Sequence, residues 1–271
     1  DWLSEATKKE ALKKLSTLKV KIGYPTKLPE VYDQITLGNN LYDSIRKIRQ
    51  TKQAFNITKL NQKFDRQLWA EDMPAMIINA GYAPTNNDIT FPAAIFQAPF
   101  YSSENTSSEN YGGIGAVIAH EISHAFDPNG SKFDEKGNLR DWWSKEDFEK
   151  FAELAQAEVK LFDGIQIGRT KVNGHQTVGE NVADLGGLTA AVKACAEEKG
   201  NLTELFENWA RIWRRKMGAE VRQTLAELDP HAPGEMRANV AAQCLDEFYE
   251  AFNVSENDGM WLDPEQRVRI W

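Results

Sequence analysis

Hydrophobic residues recur along much of this chain at spacings of three and four, which predicts a mainly helical protein. Leucines spaced in this way among lysines between residues 4 and 21 predict a first helix, and residues 37–52 predict a second. Ser144 and Asp147 form a capping pattern ahead of a further amphipathic helix, which would run to Phe162.

The middle of the chain is more apolar than either end. Residues 112–126 predict a buried helix in which Ile118 and Ile122 lie on the side that faces the core. The apolar run at residues 75–78 predicts a short strand that ends near Asn79 and leads into a turn. This part of the chain therefore combines buried helix with a small amount of strand.

Apolar residues later in the chain predict helices from residue 182 to about residue 198 and from residue 203 to about residue 228. We therefore predict an α+β fold that is mainly helical, with a small mixed sheet. Because the composition turns apolar near residue 72, the fold divides into a helical segment at residues 1–72 and a main domain at residues 73–271.

Composition and charge narrow the classes of function. The chain has 271 residues, of which 41% are hydrophobic and 27% charged, as in ordinary folded proteins. Its net charge of −8 disfavours binding to nucleic acid or to an anionic membrane surface. It contains no membrane-spanning stretch, no signal peptide and only two cysteines, Cys195 and Cys244. These features favour a reduced, cytoplasmic compartment, with secretion or the cell surface as the alternative.

The most informative motif is His120-Glu121-Ile122-Ser123-His124. Residues i and i+4 lie on one face of a helix, so both imidazoles can bind one metal ion. The glutamate beside the first histidine then points to the open side of the metal, where it can accept a proton from water. A catalytic zinc site also supplies the partners that buried imidazoles need.

A catalytic zinc site needs a third protein ligand and keeps one position for water. The extended motif H-E-x-x-H-x-x-G-x-x-H is excluded, because Asp127 and Gly130 occupy its glycine and third-histidine positions. The third ligand must therefore come from elsewhere in the chain, where His175, His231 and several glutamates are candidates.

The best source of that ligand is the segment GENVAD at residues 179–184, which puts two carboxylates on one helix face. Glu180 would bind the metal, and Asp184 would accept the N–H of a ligating histidine, a partner that metal-bound imidazoles usually have. Acidic residues are also favoured in the first turn of any helix by its dipole. The spacing alone leaves both interpretations open.

With these motifs the chain resembles the M13 family of zinc metallopeptidases, which includes neprilysin and the bacterial oligopeptidase O. The resemblance rests on HEISHAFD at residues 120–127 and GENVAD at residues 179–184. Further matches follow in the family's order: NAGY at 79–82, FPAAI at 91–95, DWW at 141–143, HAPG at 231–234, DGMW at 258–261 and the final Trp271. Among the members of the family, the bacterial intracellular oligopeptidases are the most similar, notably in the segment DGMW.

The resemblance implies a role for two sets of residues. One set would act at the metal and on the reacting atoms: His120, His124 and Glu180 as zinc ligands, Glu121 as general base, Asp184 as the carboxylate that orients a ligating histidine, and His231 as hydrogen-bond donor to the oxyanion. The other would bind the peptide: Asn79 and Ala80 along its main chain, Arg237 at a carbonyl, and Ile95, Phe100, Val117, Ile212 and Trp213 as the lining of a primed-side pocket for bulky apolar residues.

Local patterns are compatible with these roles. A strand ending at Asn79 could pair with an extended peptide, and Asp229 could hold the imidazole of His231 as a donor. The sequence departs from the family at Gly81, where an aromatic residue is usual, and at Ala116, where methionine is frequent. These departures put a side-chain contact at Gly81 in doubt and should widen the pocket slightly.

The resemblance also implies an activity and a larger architecture. The chain would be a thermolysin-like catalytic domain with one zinc ion, cleaving oligopeptides on the amino side of bulky apolar residues in the bacterial cytoplasm. Residues 1–72 would return from a larger helical domain, missing here, that belongs to the same polypeptide or to a separate chain. The alternative is a fragment that binds peptides or proteins without cleaving them. No nucleic acid and no membrane insertion are expected.

Overall fold

The computed structural model describes residues 2–63 and 65–271 and shows a mainly helical α+β fold, as the sequence predicts. In chain order the helices are α1 (Glu5–Ser16), α2 (Leu41–Thr58), α3 (Ser107–Asn110), α4 (Ala116–Ser123), α5 (Lys145–Phe162), α6 (Gly174–Glu197), α7 (Leu202–Ile212), α8 (Ala219–Leu228), α9 (Gly234–Gln243) and α10 (Asp246–Phe252). The strands are β1 (Lys19–Gly23), β2 (Gly81–Ala83), β3 (Asp88–Pro92), β4 (Gln166–Ile167) and β5 (Thr170–Lys171). None of the helices described is long and apolar enough to cross a membrane.

The larger sheet is mixed: β3 lies at its centre, parallel to β1 and antiparallel to β2. The strand predicted at residues 75–78 is wrong, because the Ile77 N–H donates to the Pro74 carbonyl in a turn and Met76 is exposed. The strand begins instead at Gly81, directly after Asn79 and Ala80. Because β2 is an edge strand, these two residues still lead into an edge that can accept a further extended chain.

The first helix is shorter than predicted, and it buries a lysine rather than its leucines. It ends at Ser16. Residues 19–23 form β1 instead, which pairs with β3. Leu12 and Leu15 are exposed, whereas Lys14 is only 1% exposed. The leucine spacing predicted the helix correctly, and the burial of Lys14 is a feature that its sequence neighbours do not reveal.

The core places α4 against α6, and this packing positions the site. A Cβ atom at Gly187 would lie 2.7 Å from the Ala116 carbonyl oxygen and 2.7 Å from the His120 backbone nitrogen, so only glycine permits this approach. The sequence predicted that α6 opens near residue 182. It begins at Gly174, capped by the side chain of Asn173. The acidic residues of the GENVAD segment therefore lie within α6 and not at its N-terminal end.

Two other helix predictions are refined by the structure. α5 follows the prediction, and the Ser144 hydroxyl accepts the Asp147 N–H at 3.1 Å as its cap. The single helix predicted from residue 203 to residue 228 is two helices, α7 and α8, because residues 213–218 are not helical. Cys195 and Cys244 are free and buried, as expected of small core residues.

Glu158 is a buried carboxyl group on the face of α5 that packs into the core. Its side chain is 1% exposed, and its Oε2 atom has no hydrogen-bond partner within the described residues. Burial, with a smaller contribution from Asp184, raises the pKa of Glu158 to about 8. The folded protein therefore holds this group in its neutral form at a pH where the unfolded chain has already lost the proton.

We expect Glu158→Gln to stabilise the protein at about pH 9 and to change little at about pH 4.5. Between the ordinary pKa of 4.5 and the folded value of about 8, the folded wild type binds one more proton than the unfolded chain. As the pH rises across this range, the ionisation of Glu158 lowers the free energy of unfolding by roughly 1.4 kcal/mol per pH unit. Glutamine does not ionise, so the variant does not lose this stability. Thermal unfolding across this pH range measures the effect. Exposed Glu153→Gln on the same helix is the control, and parallel pH profiles for wild type and E158Q would contradict the expectation.

Candidate metal centre

α4 and α6 bring three potential metal ligands together. His120 and His124 lie one helical turn apart, with their Nε2 atoms 3.0 Å from each other. The Oε2 atom of Glu180 lies 3.4 Å from Nε2 of His120 and 3.5 Å from Nε2 of His124. Within the part of the chain that the structure describes, this is the one group of three such residues whose ligand atoms converge. His175, a candidate from the sequence, lies exposed in the first turn of α6 and outside the group.

The dimensions of this triangle fit a zinc ion. Tetrahedral zinc with bonds of about 2.0–2.1 Å holds its ligand atoms roughly 3.3 Å apart, close to the three separations above. Oε2 of Glu180 is buried and has no hydrogen-bond partner among the described residues, although imidazole nitrogens surround it. A cation between these atoms would satisfy them, and two imidazoles with one carboxylate leave a fourth position open.

Each histidine of the triangle has a carboxylate on its far side. Nδ1 of His120 lies 2.9 Å from Oδ1 of Asp184, and Nδ1 of His124 lies 2.7 Å from Oδ2 of Asp127. The His124–Asp127 contact is a hydrogen bond, whereas Nδ1 of His120 lies close to Asp184 without a well-aligned hydrogen bond among the described residues. Both carboxylates lie where the outer partners of metal-bound imidazoles usually lie, with Nε2 turned towards the centre of the triangle. Both imidazoles therefore present the nitrogen that a metal ion needs.

The contact between Asp127 and His124 was not predicted from the sequence. Asp127 also holds the turn that follows α4. Asp127 serves both purposes, because its Oδ1 atom also accepts the N–H groups of Asn129 at 2.7 Å and Gly130 at 2.6 Å. The signal was present in the sequence: a carboxylate three residues after a ligating histidine can reach its Nδ1 when the chain turns there.

The electrostatic environment of the site favours a positive charge. Burial alone would lower the pKa of His120 and raise that of Glu180. The close contacts between the imidazoles and the carboxylates outweigh burial, raising the pKa of His120 and lowering that of Glu180 far below its ordinary range. The clustered carboxylates thus stabilise a cation among these side chains, whether it is a proton or a metal ion.

Glu121 lies on α4 between the two histidines and is 5% exposed. Burial raises the pKa of its carboxyl group, and the nearby histidines oppose the shift. Its carboxyl group lines the same cleft as the three converging side chains. A carboxylate with a raised pKa beside a metal site is suited to exchange protons with a substrate or with water.

Asp184 and Arg237 form a buried pair behind His120. Arg237 donates two hydrogen bonds, from Nε to Oδ2 at 2.6 Å and from Nη2 to Oδ1 at 2.8 Å, and its guanidinium stacks on the Trp213 ring at 3.8 Å. Burial raises the pKa of Asp184, but Arg237 and His120 lower it further than burial raises it. Asp184 therefore stays ionised and can accept the Nδ1 proton of His120.

His231 faces the triangle from the loop between α8 and α9. Its Nε2 atom lies 3.2 Å from Oε2 of Glu180, while its Nδ1 atom lies 2.6 Å from Oδ1 of Asp229. The contact with Asp229, anticipated from the sequence, fixes the ring with Nε2 turned to the cleft. His231 is half-exposed and thus accessible to a molecule bound there.

An open cleft of about 1720 Å³ runs past the triangle. The substrate-binding residues expected from the sequence all line it: Asn79, Ala80, Ile95, Phe100, Val117, Ile212, Trp213 and Arg237. Trp213 follows the last residue of α7 rather than lying within a continuous helix, so its ring reaches the cleft. The structure thus brings the two predicted sets of residues to one surface.

Comparison with known proteins agrees with this geometry. The model of peptidase family M13 matches residues 79–268. The neutral endopeptidase of Lactobacillus helveticus is 49% identical over 273 aligned positions, which cover 100% of this chain and 42% of that protein. The chain belongs to peptidase family M13.

Two solved structures are similar over the whole chain. PEPO from Lactobacillus rhamnosis HN001 has a TM-score of 0.95 and 43% identity, and 43% of its length is covered. The zinc metalloprotease ZMP1 of Mycobacterium tuberculosis, in complex with an inhibitor, has a TM-score of 0.93 and 38% identity, and 44% of its length is covered. The chain therefore spans less than half the length of the relatives it matches.

Proposed function

We propose that this chain is the catalytic part of a zinc-dependent endopeptidase that cleaves oligopeptides. The observation that carries the proposal is the convergence of His120, His124 and Glu180, with separations of 3.0–3.5 Å, at the wall of an open cleft. These three residues would hold one zinc ion. When bound, the ion supplies Lewis acidity that lowers the pKa of water and stabilises negative charge on a carbonyl oxygen.

The protein's own groups carry the proton transfers. Glu121 accepts a proton from the attacking water and passes it to the leaving amine, as its buried position on the cleft wall allows. His231 donates a hydrogen bond from Nε2 to the oxyanion, with Asp229 holding the ring in that orientation. Asp184 keeps His120 in the tautomer that binds metal through Nε2.

The peptide would bind along the edge of β2 and into the apolar end of the cleft. Asn79 and Ala80 lie just before that edge and would contact the peptide main chain, and Arg237 would contact a carbonyl. The pocket that accepts a bulky apolar side chain would be lined by Ile95, Phe100, Val117, Ile212 and Trp213. Cleavage would then occur on the amino side of that residue.

A further helical region would complete the enzyme, as the greater length of the relatives suggests. We place its contact on α2, in which no residue is buried and Leu41, Tyr42 and Ile57 are each more than half exposed. Residues 1–72 would form the connection between that region and the catalytic domain at residues 73–271. A bacterial cytoplasmic location remains part of the proposal.

A quenched fluorescent oligopeptide with one bulky apolar residue tests the function. We expect the zinc-loaded chain to cleave it on the amino side of that residue, and a chelator to abolish cleavage until zinc is restored. Cleavage that survives complete removal of zinc would contradict the proposal. Zinc binding without cleavage, at any enzyme concentration and with the peptide bound, would favour the alternative of a non-cleaving peptide-binding fragment.

A further inference from the structure

Lys14 of α1 is a fully buried lysine that lies beside the metal centre but outside the motifs that define it. Its ammonium group donates three hydrogen bonds, to the backbone carbonyl oxygens of Ala125 at 2.6 Å, Gly130 at 2.8 Å and Phe133 at 2.8 Å. All three of its protons are therefore used. The aromatic rings of Tyr82, Phe126 and Trp142 surround it, with centroids 5.7–5.8 Å from Nζ.

The three carbonyls mark out one short piece of backbone, residues 125–133. It begins directly after His124 and contains Asp127, whose carboxylate holds Nδ1 of His124. The turn is tight: a Cβ atom at Gly130 would lie 1.8 Å from the His124 carbonyl oxygen. Lys14 binds this loop at its start, middle and end, so the ammonium group fixes the distance between His124 and the carboxylate that orients it.

Charge supports the same conclusion. The carbonyl of Ala125 lies just beyond the C-terminal end of α4, where the helix dipole favours a cation. Burial lowers the pKa of Lys14 to about 8, and the nearby carboxylates of Asp127 and Asp134 oppose that shift, so the ammonium form is favoured at neutral pH. The Gly130 oxygen also accepts the Phe133 N–H at 3.0 Å, and the Phe133 oxygen also accepts Nε1–H of Trp142 at 3.1 Å. An apolar side chain at position 14 would therefore remove one of two donors from each of these oxygens and the Lys14 donor from the Ala125 oxygen, the one directly after His124.

We infer that Lys14 is a positioning residue of the metal centre, which holds the 125–133 loop so that Asp127 orients His124 for zinc. The inference rests on the proposed zinc site and adds to it a residue more than a hundred positions away in the sequence. It also assigns α1 a part in the site: the N-terminal segment completes the support of the ligand helix.

Zinc affinity, rather than peptidase activity, tests the inference. Lys14→Met keeps most of the side-chain volume and removes the three donors. Loss of an outer partner of a metal ligand usually costs about 10–100-fold in affinity, and Lys14→Met keeps that partner, Asp127, but loosens its loop. We therefore expect the zinc dissociation constant, measured by competition with a chelator, to rise by about 10-fold, the lower end of that range. Lys14→Gln retains two donors and should show a smaller loss. It also serves if Lys14→Met does not fold.

The matched control is Ser4→Ala. Ser4 caps the N-terminal end of α1, far along the helix from Lys14, and its backbone N–H and hydroxyl donate to Asp147 in the first turn of α5. This variant loosens the same helix away from His124, so we expect a lower melting temperature with zinc affinity unchanged. An equal zinc affinity in wild type and in the folded Lys14 variants would overturn the inference. Failure of the wild type to bind zinc would instead overturn the proposed function.

Discussion

Glu121→Gln is expected to abolish peptide cleavage while leaving zinc bound. The substitution preserves the shape of the side chain but removes its ability to accept a proton. General-base catalysis typically contributes about 10²–10⁴-fold to a rate, so kcat should fall by at least two orders of magnitude. Because Glu121 is not one of the three converging ligands, the zinc content and zinc affinity should stay at wild-type values.

The matched control for this variant is Glu207→Gln, which makes the same chemical change at an exposed residue that also lines the cleft. Its kcat should stay close to that of the wild type. If Glu121→Gln with full zinc content retained more than about a tenth of the wild-type kcat, the assignment of Glu121 as the base would be wrong.

Glu180→Ala is expected to cost most of the zinc affinity. It removes one of the three protein ligands, the carboxylate whose Oε2 atom lies within 3.5 Å of Nε2 of both His120 and His124. The loss should exceed the roughly 10–100-fold that follows removal of an outer partner such as Asp184. Chelator competition and metal analysis after dialysis measure it, and peptidase activity should fall in parallel.

Glu197→Ala, at the exposed end of the same helix, is the control and should bind zinc as the wild type does. Full zinc stoichiometry with unchanged affinity in Glu180→Ala would mean that the third ligand is another residue. His231 would then be the first to examine, since its Nε2 atom lies 3.2 Å from Oε2 of Glu180.

The sequence revealed the parts of the site that depend on local spacing. His120 and His124 share a helix face because residues four apart always do, and this needs no tertiary information. The position of Glu180 was harder to predict, because the dipole of a helix beginning near residue 179 would explain its charge equally well. The structure removes that explanation: α6 begins at Gly174, so Glu180 lies beyond its first turn.

Features that depend on contacts between distant segments could not be read from the sequence. The close approach of α4 and α6 requires Gly187, which looks like any other glycine in an apolar helix. The leucine spacing of α1 predicts a helix, but the burial of Lys14 depends on carbonyl groups more than a hundred residues away. The strand beside Asn79 was displaced because Pro74 begins a turn that competes with extended backbone.

The most direct test of the central claim is an anomalous-diffraction measurement at the zinc absorption edge on crystals of the zinc-loaded protein. The account predicts one strong peak per chain, about 2.0–2.2 Å from Nε2 of His120, Nε2 of His124 and a carboxylate oxygen of Glu180. A peak bound by other residues, or a Glu180 carboxylate that stays out of bonding range of the ion, would contradict it.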